Sequence, residues 1–343
     1  MNKNTIFICA LLFIVIVLII VFFIIRDNFS IKHSDPSIKL FHWNIHFACF
    51  TNSNGNCDFR VRDGKRQNVK QYIMKKYFKD IDFANLIMFE ENEVNEVTHK
   101  KFKLIHPKIQ YINCSNRCQY SSLVQKCGKH DIPLNLVYNA HKWEYLKSES
   151  GCINTNCSNT TDDSRPFIIG KFKSKKNKNF TVFVICVYMQ HPWDLDPTKT
   201  IEVLNNSLNT LEFQRKDDKL IFMSDTNLLG SEDNAQVFKN LDDRSNNMSQ
   251  NQYLLNEYLA SQLSDRPIKN RQYFTPSNIK TCCNDNTGFK YDFDRIFTNF
   301  GNQKLTTIIS NDELEKPILS TPPDLKVPYT DEMHRPLLLE INY

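Results

Sequence analysis

Apolar and polar positions along the chain fall into short blocks that switch between two periods. Lys39 to Ile45 (KLFHWNI) and Asn85 to Phe89 (NLIMF) are apolar runs of strand length. Between them Val69, Tyr72, Ile73 and Tyr77 recur at helical spacing in a basic, amphipathic segment. The stretch from Leu134 (LNLVYNAHKWEYL) reads as a strand and a turn, followed by an irregular segment through Cys157. Arg165 to Phe172 and Asn179 to Met189 read as a hairpin flanking a lysine-rich tip. Asp196-Pro197 then opens a helix, because proline suits the first helical position, and Ile201, Leu204, Leu208 and Leu211 form its apolar stripe. Leu220 to Met223 is a further strand, and Asn251 to Leu263 a further helix with Leu255, Leu259 and Leu263 in register. Phe293 to Thr298 and Leu337 to Ile341 close the pattern as strands. Strands that mix hairpin links with helical crossovers predict a two-sheet α/β sandwich. The chain has no internal repeat, no low-complexity linker and no glycine-rich phosphate loop, and its eight glycines argue against a doubly wound nucleotide fold.

One block stands apart. From Ile6 to Ile25 the residues are almost all Ile, Leu, Val and Phe. Roughly 20 such residues in a helix span about 30 Å, the thickness of a bilayer's hydrocarbon core. A cleaved signal peptide would have a shorter apolar region followed by small residues, whereas this run ends in Phe-Phe-Ile-Ile-Arg. The expected organisation is therefore a short tail (1–5), a transmembrane signal-anchor (6–25), a juxtamembrane linker (26–36) and one large domain (37–343).

Cysteines bear on which side that domain faces. All but Cys9 of the eleven lie beyond the apolar run, and all of these but Cys186 fall in clusters: Cys49 and Cys57; Cys114, Cys118 and Cys127; Cys152 and Cys157; Cys282 and Cys283. An even number outside the membrane predicts several disulfides and a lumenal or extracellular domain. Cys186, inside a predicted core strand, reads as a buried small hydrophobe. A zinc site from Cys114, Cys118, Cys127 and His130 matches no common spacing. Sequons at Asn28, Asn113, Asn156, Asn159, Asn179, Asn205 and Asn247 agree with a glycoprotein but are near chance in so Asn-rich a chain. The net charge of +5 is mild. Its one concentrated stretch is KFKSKKNK (Lys171, Lys173, Lys175, Lys176, Lys178), either a solvated turn or a contact for phosphates.

Five apolar runs end, or nearly end, in side chains suited to a metal ion and a phosphate. They carry Asn44, Glu90 and Glu91, Asp225 and Asn227, Asp294, and His334. Carboxylates bind Mg²⁺, amides grip phosphate oxygens and water, and an imidazole handles charge or a proton. Each residue also has a plain reading: Asn at a strand end forms turns, paired glutamates make a solvated rim, and Asp-x-Asn caps loops. His42 and His46, flanking Asn44, read as packing or surface residues.

The order N, E, D-x-N, D-R-I, H-x-P resembles the endonuclease/exonuclease/phosphatase superfamily over most of Lys39 to Asn342. The resemblance implies a four-layer α/β sandwich, two mixed β-sheets flanked by helices, here with an N-terminal transmembrane helix. It implies cleavage of phosphoester bonds with Mg²⁺, or with Mn²⁺ or Ca²⁺. Asn44 in WNI would lie near metal and phosphate. Glu91, where the family has L-Q-E, would be the principal metal ligand. In SDTN, Asp225 would orient or deprotonate the attacking water and Asn227 would hold the scissile phosphate. FDRI resembles the deoxyribonuclease-like Y-D-R-I, in which Asp294 would pair with His334. Arg165 in SRPF would approach phosphate.

Two departures leave roles open. The family usually ends in Ser-Asp-His, with the Asp able to bind metal, whereas Asp331 here lies three residues before His334. The strand FVICVYMQHPW offers both His191 and Tyr188 for the group near the leaving oxygen, with His191 preferred. The expectation is a membrane-anchored, metal-dependent phosphodiesterase acting on nucleic acid, or on a phospholipid such as sphingomyelin, with no protein partner. The reading from another class is an inactive surface scaffold.

Overall fold

The computed structural model describes residues 15, 37–45, 72–78, 81–87, 89, 109–113, 134–153, 165–190, 197–227, 281–285, 288–291, 293–308 and 334–343. The chain divides into two compact units, Ile38–Ile341 and a smaller one of Met1–Ser37 with Asn342–Tyr343. The strands of the first half are β1 (Ser37–Asn44), β2 (Phe83–Ile87), β3 (Ile109–Asn113), β4 (Leu134–Asn139), β5 (Trp143–Cys152) and β6 (Pro166–Ser174). Those of the second are β7 (Thr181–Tyr188), β8 (Lys219–Asp225), β9 (Cys282–Asp285), β10 (Gly288–Tyr291), β11 (Asp294–Thr298), β12 (Asn302–Ile308) and β13 (Leu337–Asn342).

Two mixed sheets hold most of them. One has the order β12-β13-β1-β2-β4-β3, with β1 and β2 parallel and β4 antiparallel to its neighbours. The other has the order β11-β8-β7-β6-β5, in which only β7 and β8 run parallel. Strands β9 and β10 form a separate ribbon. The strands β2, β4 and β11 are buried at every position, because both faces are covered, and polar residues they carry, Asn85, Asn135 and Asp294 among them, are buried with them.

The inner faces meet through Phe83 of β2 and Phe172 of β6, whose ring centroids are 4.9 Å apart, and through Tyr138 of β4 on the same Phe172. Outside the first sheet, a helical segment at 72–77 brings Phe78 edge-on to Phe41 of β1. Outside the second, the helix Pro197–Thr210 buries Leu204 and Leu208, and Phe213 beyond it meets Phe183 of β7 at 5.0 Å. The last turn of this helix has no basic residue of its own. Its final carbonyls are met instead by Lys147 Nζ on Thr210 O and Lys171 Nζ on Leu211 O.

Gly170 of β6 lies where the two layers approach closely. A Cβ there would lie against Phe172, 2.7 Å from Cζ, and 3.0 Å from Leu136 Cδ2 of the facing sheet. Neither neighbour can retreat, since both are fully buried. Gly170→Ala is expected to destabilise the domain by about 1–3 kcal/mol, read as a lower urea midpoint with an unchanged m-value. A variant as stable as the wild type would show that the layers can part there.

The structure corrects three expectations. Among the described residues no helix is long and apolar enough to cross a membrane. Of the run 6–25 only Val15 is described, as helical. Apolar composition alone supplied that expectation, whereas spanning needs one unbroken helix of about 20 residues that satisfies its own backbone. The transmembrane helix, the signal-anchor and the single-pass topology with a lumenal or extracellular domain are withdrawn with it. The set of several disulfides is not borne out either, and of the clustered cysteines only Cys152 has a described side chain. Among the described residues Cys152 is disulfide-bonded, and Cys186 is free, fully buried, with its thiol pushed well above the usual range by burial. Finally, the stretch after Leu146 is not irregular throughout: as far as Cys152 it belongs to β5, an edge strand.

The lysine tip also has a defined place. It joins the end of β6 to the start of β7, one strand length, about 23 Å, from the end of β7 that carries Tyr188. At that far end Lys175 Nζ donates to Ala140 O and Lys142 Nζ pairs with the buried Asp82. Asp82 also accepts from Lys39 N and Trp143 Nε1. Burial raises its carboxyl; the Lys142 charge and these hydrogen bonds pull the other way without cancelling the rise. Two basic side chains at this end therefore hold the turns together. The predicted helix at 251–263 lies outside the described residues.

Candidate active site

Strand alternation puts His42 and Asn44 of β1 on one face, and the parallel register sets Asn85 of β2 beside His42 on that same face. All three are fully buried, and each reaches the opposite sheet. Asn85 Nδ2 donates to Met223 O, Asn44 Nδ2 to Asp225 Oδ2 at 2.8 Å, and His42 Nε2 meets Asp294 Oδ1 at 2.9 Å.

The facing sheet supplies a matching row. Tyr188 of β7, Asp225 of β8 and Asp294 of β11 are register partners across three adjacent strands. Asp225 ends its strand, and its Oδ1 accepts the N–H of Asn227 two residues on. Asn227 turns the chain with φ 50, a left-handed conformation that asparagine tolerates, and its Nδ2 is tied to Met189 O at 2.8 Å. The D-x-N spacing is thus the local turn that fixes the Asp225 carboxylate.

His334 enters from the segment before β13, with its carbonyl held by Trp43 Nε1 at 3.1 Å. Its Nδ1 meets Asp294 Oδ2 at 2.8 Å, and its Nε2 lies 3.5 Å from Asn44 Nδ2 and 3.7 Å from Asp225 Oδ2. Thr281 ties the two supporting segments: its hydroxyl accepts from Asp294 N, and its carbonyl accepts from Arg335 N. Burial alone would raise the Asp294 carboxyl. The His334 charge and hydrogen bond, with those of His42, outweigh it and hold the group well below the usual carboxylate range.

Asp225, Asp294 and His334 each offer a ligand atom within 4.8 Å of the others, a cluster that can hold a divalent cation such as Mg²⁺. The donor set fits a hard cation in a further respect. Asn44 Oδ1 is a buried carbonyl oxygen with no hydrogen-bond partner among the described residues. A phosphodiester-type substrate fits beside such a centre.

Of the residues singled out in sequence, Asn44, Asp225, Asp294 and His334 come together here. Tyr188 is nearly buried in the row with Asp225, and the Arg165 guanidinium sits 4.7 Å from the centre of its ring. Glu90, Glu91, His191 and Asp331 lie outside the described residues. Arg295 of the FDRI run is buried, and its Nη1 donates to Asp294 O. His42 and Thr281 were missed. The period of the strand, which places His42 on the face of Asn44, was the available signal for the first.

No family model and no curated protein matches this sequence. Solved structures do. An endonuclease/exonuclease/phosphatase family protein from Leptotrichia buccalis superimposes with a TM-score of 0.55 at 12% identity, covering 89% of this chain and 100% of its own. A mannosyl-6-phosphatase from Bacteroides thetaiotaomicron gives 0.54 at 13%, covering 89% and 100%. ANGEL2, a 2',3'-cyclic phosphatase, gives 0.54 at 12%, covering 91% and 97%. By its structure, the chain carries the fold of the endonuclease/exonuclease/phosphatase superfamily.

Proposed function

We propose that the chain is a divalent-metal-dependent phosphoric ester hydrolase acting on a phosphodiester. One observation carries the reading. An Asp294–His334 pair and an Asn44–Asp225 pair, each at 2.8 Å, converge at the ends of strands from both sheets. A bound divalent cation would neutralise charge developing on the phosphoryl oxygens and favour ionised water. Asn44 Oδ1 would hold it, with Glu91, four residues beyond the end of β2, as the principal ligand.

The protein's own groups do the rest. Asp225 orients the attacking water and takes its proton. His334, with Nδ1 committed to Asp294, presents Nε2 to the phosphate. Asn227 and Arg165 steady the phosphoryl group, and Tyr188 or His191 stands near the leaving oxygen.

Substrate class is a finer matter. A tethered lipid hydrolase rested on the anchor, which is withdrawn. A nucleic-acid substrate rested on FDRI and the lysine tip, but that tip lies a strand length from the acid cluster. The sugar phosphate and cyclic phosphate named for two structural relatives add small phosphate esters to the classes worth testing. The test is parallel hydrolysis of plasmid DNA, RNA, a 2',3'-cyclic nucleotide, a sugar phosphate and sphingomyelin vesicles, with Mg²⁺ and with EDTA. An Asp225→Ala, His334→Ala double variant is the control. Metal-dependent cleavage of one diester, lost in the control, is the expected result. Cleavage of the sugar phosphate alone would make the enzyme a phosphomonoesterase, and no cleavage by folded protein would favour a binding scaffold. Independently, Mg²⁺ or Mn²⁺ is expected to raise the Tm of the wild type and not of Glu91→Ala. Equal shifts in both would move the metal away from Glu91.

A further inference from the structure

We propose that His42 is a positioning residue, which holds the Asp294 carboxylate in the plane that presents its other oxygen to His334. This rests on the hydrolase reading and deepens it. His42 is fully buried in the middle of a strand, where a phenylalanine or leucine would pack without any polar group to satisfy. Among the described residues its ring makes one hydrogen bond, from Nε2 to Asp294 Oδ1, while Nδ1 is buried with no partner. The ring is therefore spent on Asp294.

The geometry gives that bond a use. Asp294 takes one imidazole on each oxygen: His42 Nε2 on Oδ1 at 2.9 Å and His334 Nδ1 on Oδ2 at 2.8 Å. A carboxylate held from one side alone can still turn about its last torsion, which is broad. Held from both sides it cannot turn, and the direction of the His334 ring is fixed with it. The two anchors come from different places, His42 from the centre of the first sheet and His334 from the segment leading into β13. Asn44, two residues along the same strand as His42, reaches Asp225. One rigid strand thus sets the distance between the Asp294–His334 pair and the Asp225 carboxylate.

Three variants of the full chain test this. Gln at position 42 places an amide N–H close to where Nε2 now lies; Asn is too short to reach Asp294; Phe keeps the ring without a donor. His42→Asn and His42→Phe are expected to lower kcat about 10–100-fold with KM nearly unchanged, and His42→Gln to recover most of the loss. The second readout needs no turnover: the downfield proton of His334 Nδ1–H in NMR spectra. It is expected to stay sharp in His42→Gln and to shift or broaden in the other two. If His42→Phe does not fold, the Gln–Asn comparison carries the test. Equal kcat and equal spectra in the Gln and Asn variants would overturn the proposal. A wild type inactive on every substrate, with spectra that still separate Gln from Asn, would sink the hydrolase reading and leave the positioning intact.

Discussion

Asp225→Asn lowers kcat by about 10²–10⁴-fold, the usual range for a displaced general base, with KM altered far less and the fold retained. The expectation follows from how the carboxylate is held. One oxygen takes the Asn227 N–H and the other the Asn44 amide, so an amide in place of the acid sets a donor against a donor on one side. The structure can relieve that conflict, because Asn44 Oδ1 has no partner and a flip of the Asn44 amide turns it into an acceptor. The stability loss is then about 1–2 kcal/mol, small beside the loss of turnover. Steady-state kinetics on the substrate found by the panel, with a urea titration beside them, separate the two effects. Turnover within tenfold of wild type would remove Asp225 from the chemistry.

Asp294→Ala is the more damaging change to the protein itself, with an expected cost of about 3–5 kcal/mol. It leaves two buried imidazoles without their acceptor and removes activity through His334. The same residue shapes the acid limb of stability. Its carboxyl is held below the usual range in the folded state, while in the unfolded chain it titrates near about 3.9. The folded state thus binds fewer protons in that window, and stability rises with pH there. The contribution is complete above about pH 5 and is lost as the pH falls through about 4 toward the folded-state value. Urea midpoints measured at pH 7 and at about pH 3.5 should fall less between the two in Asp294→Ala than in the wild type. An identical fall in both would place the acid sensitivity elsewhere.

Strands covered on both faces were legible where burial on both sides concentrates apolar residues into one short block. β2, β7 and β8 are of this kind. β5 was not, since an edge strand with most of its middle exposed has neither a run nor an alternation to read. Lateral order was invisible for another reason: which strands become neighbours depends on crossovers, and nothing local in Leu337–Asn342 says that β13 lies beside β1. The chemistry-bearing residues at strand ends could be named from motif order. Their pairings could not, because residues as far apart as 42 and 294 meet only through the packing of two sheets. A lone histidine in an apolar run looks the same whether it fills space or holds a carboxylate. The apolar run near the amino terminus misled in the opposite sense, since composition speaks to length and not to what the segment does.

The three polar side chains that cross from β1 and β2 to the facing sheet make the acid cluster a strain gauge for the core. Apolar layers tolerate a slide or a small separation, whereas a hydrogen bond near 2.8 Å weakens steeply when stretched. Any substitution that wedges the sheets apart, even at the far end near Phe83 and Phe172, is therefore felt at Asp225 and Asp294 as a changed distance. Catalytic output would register such distortions while the melting temperature still looked normal, so a screen of interior variants by thermal shift alone would pass proteins whose two halves no longer meet in working alignment.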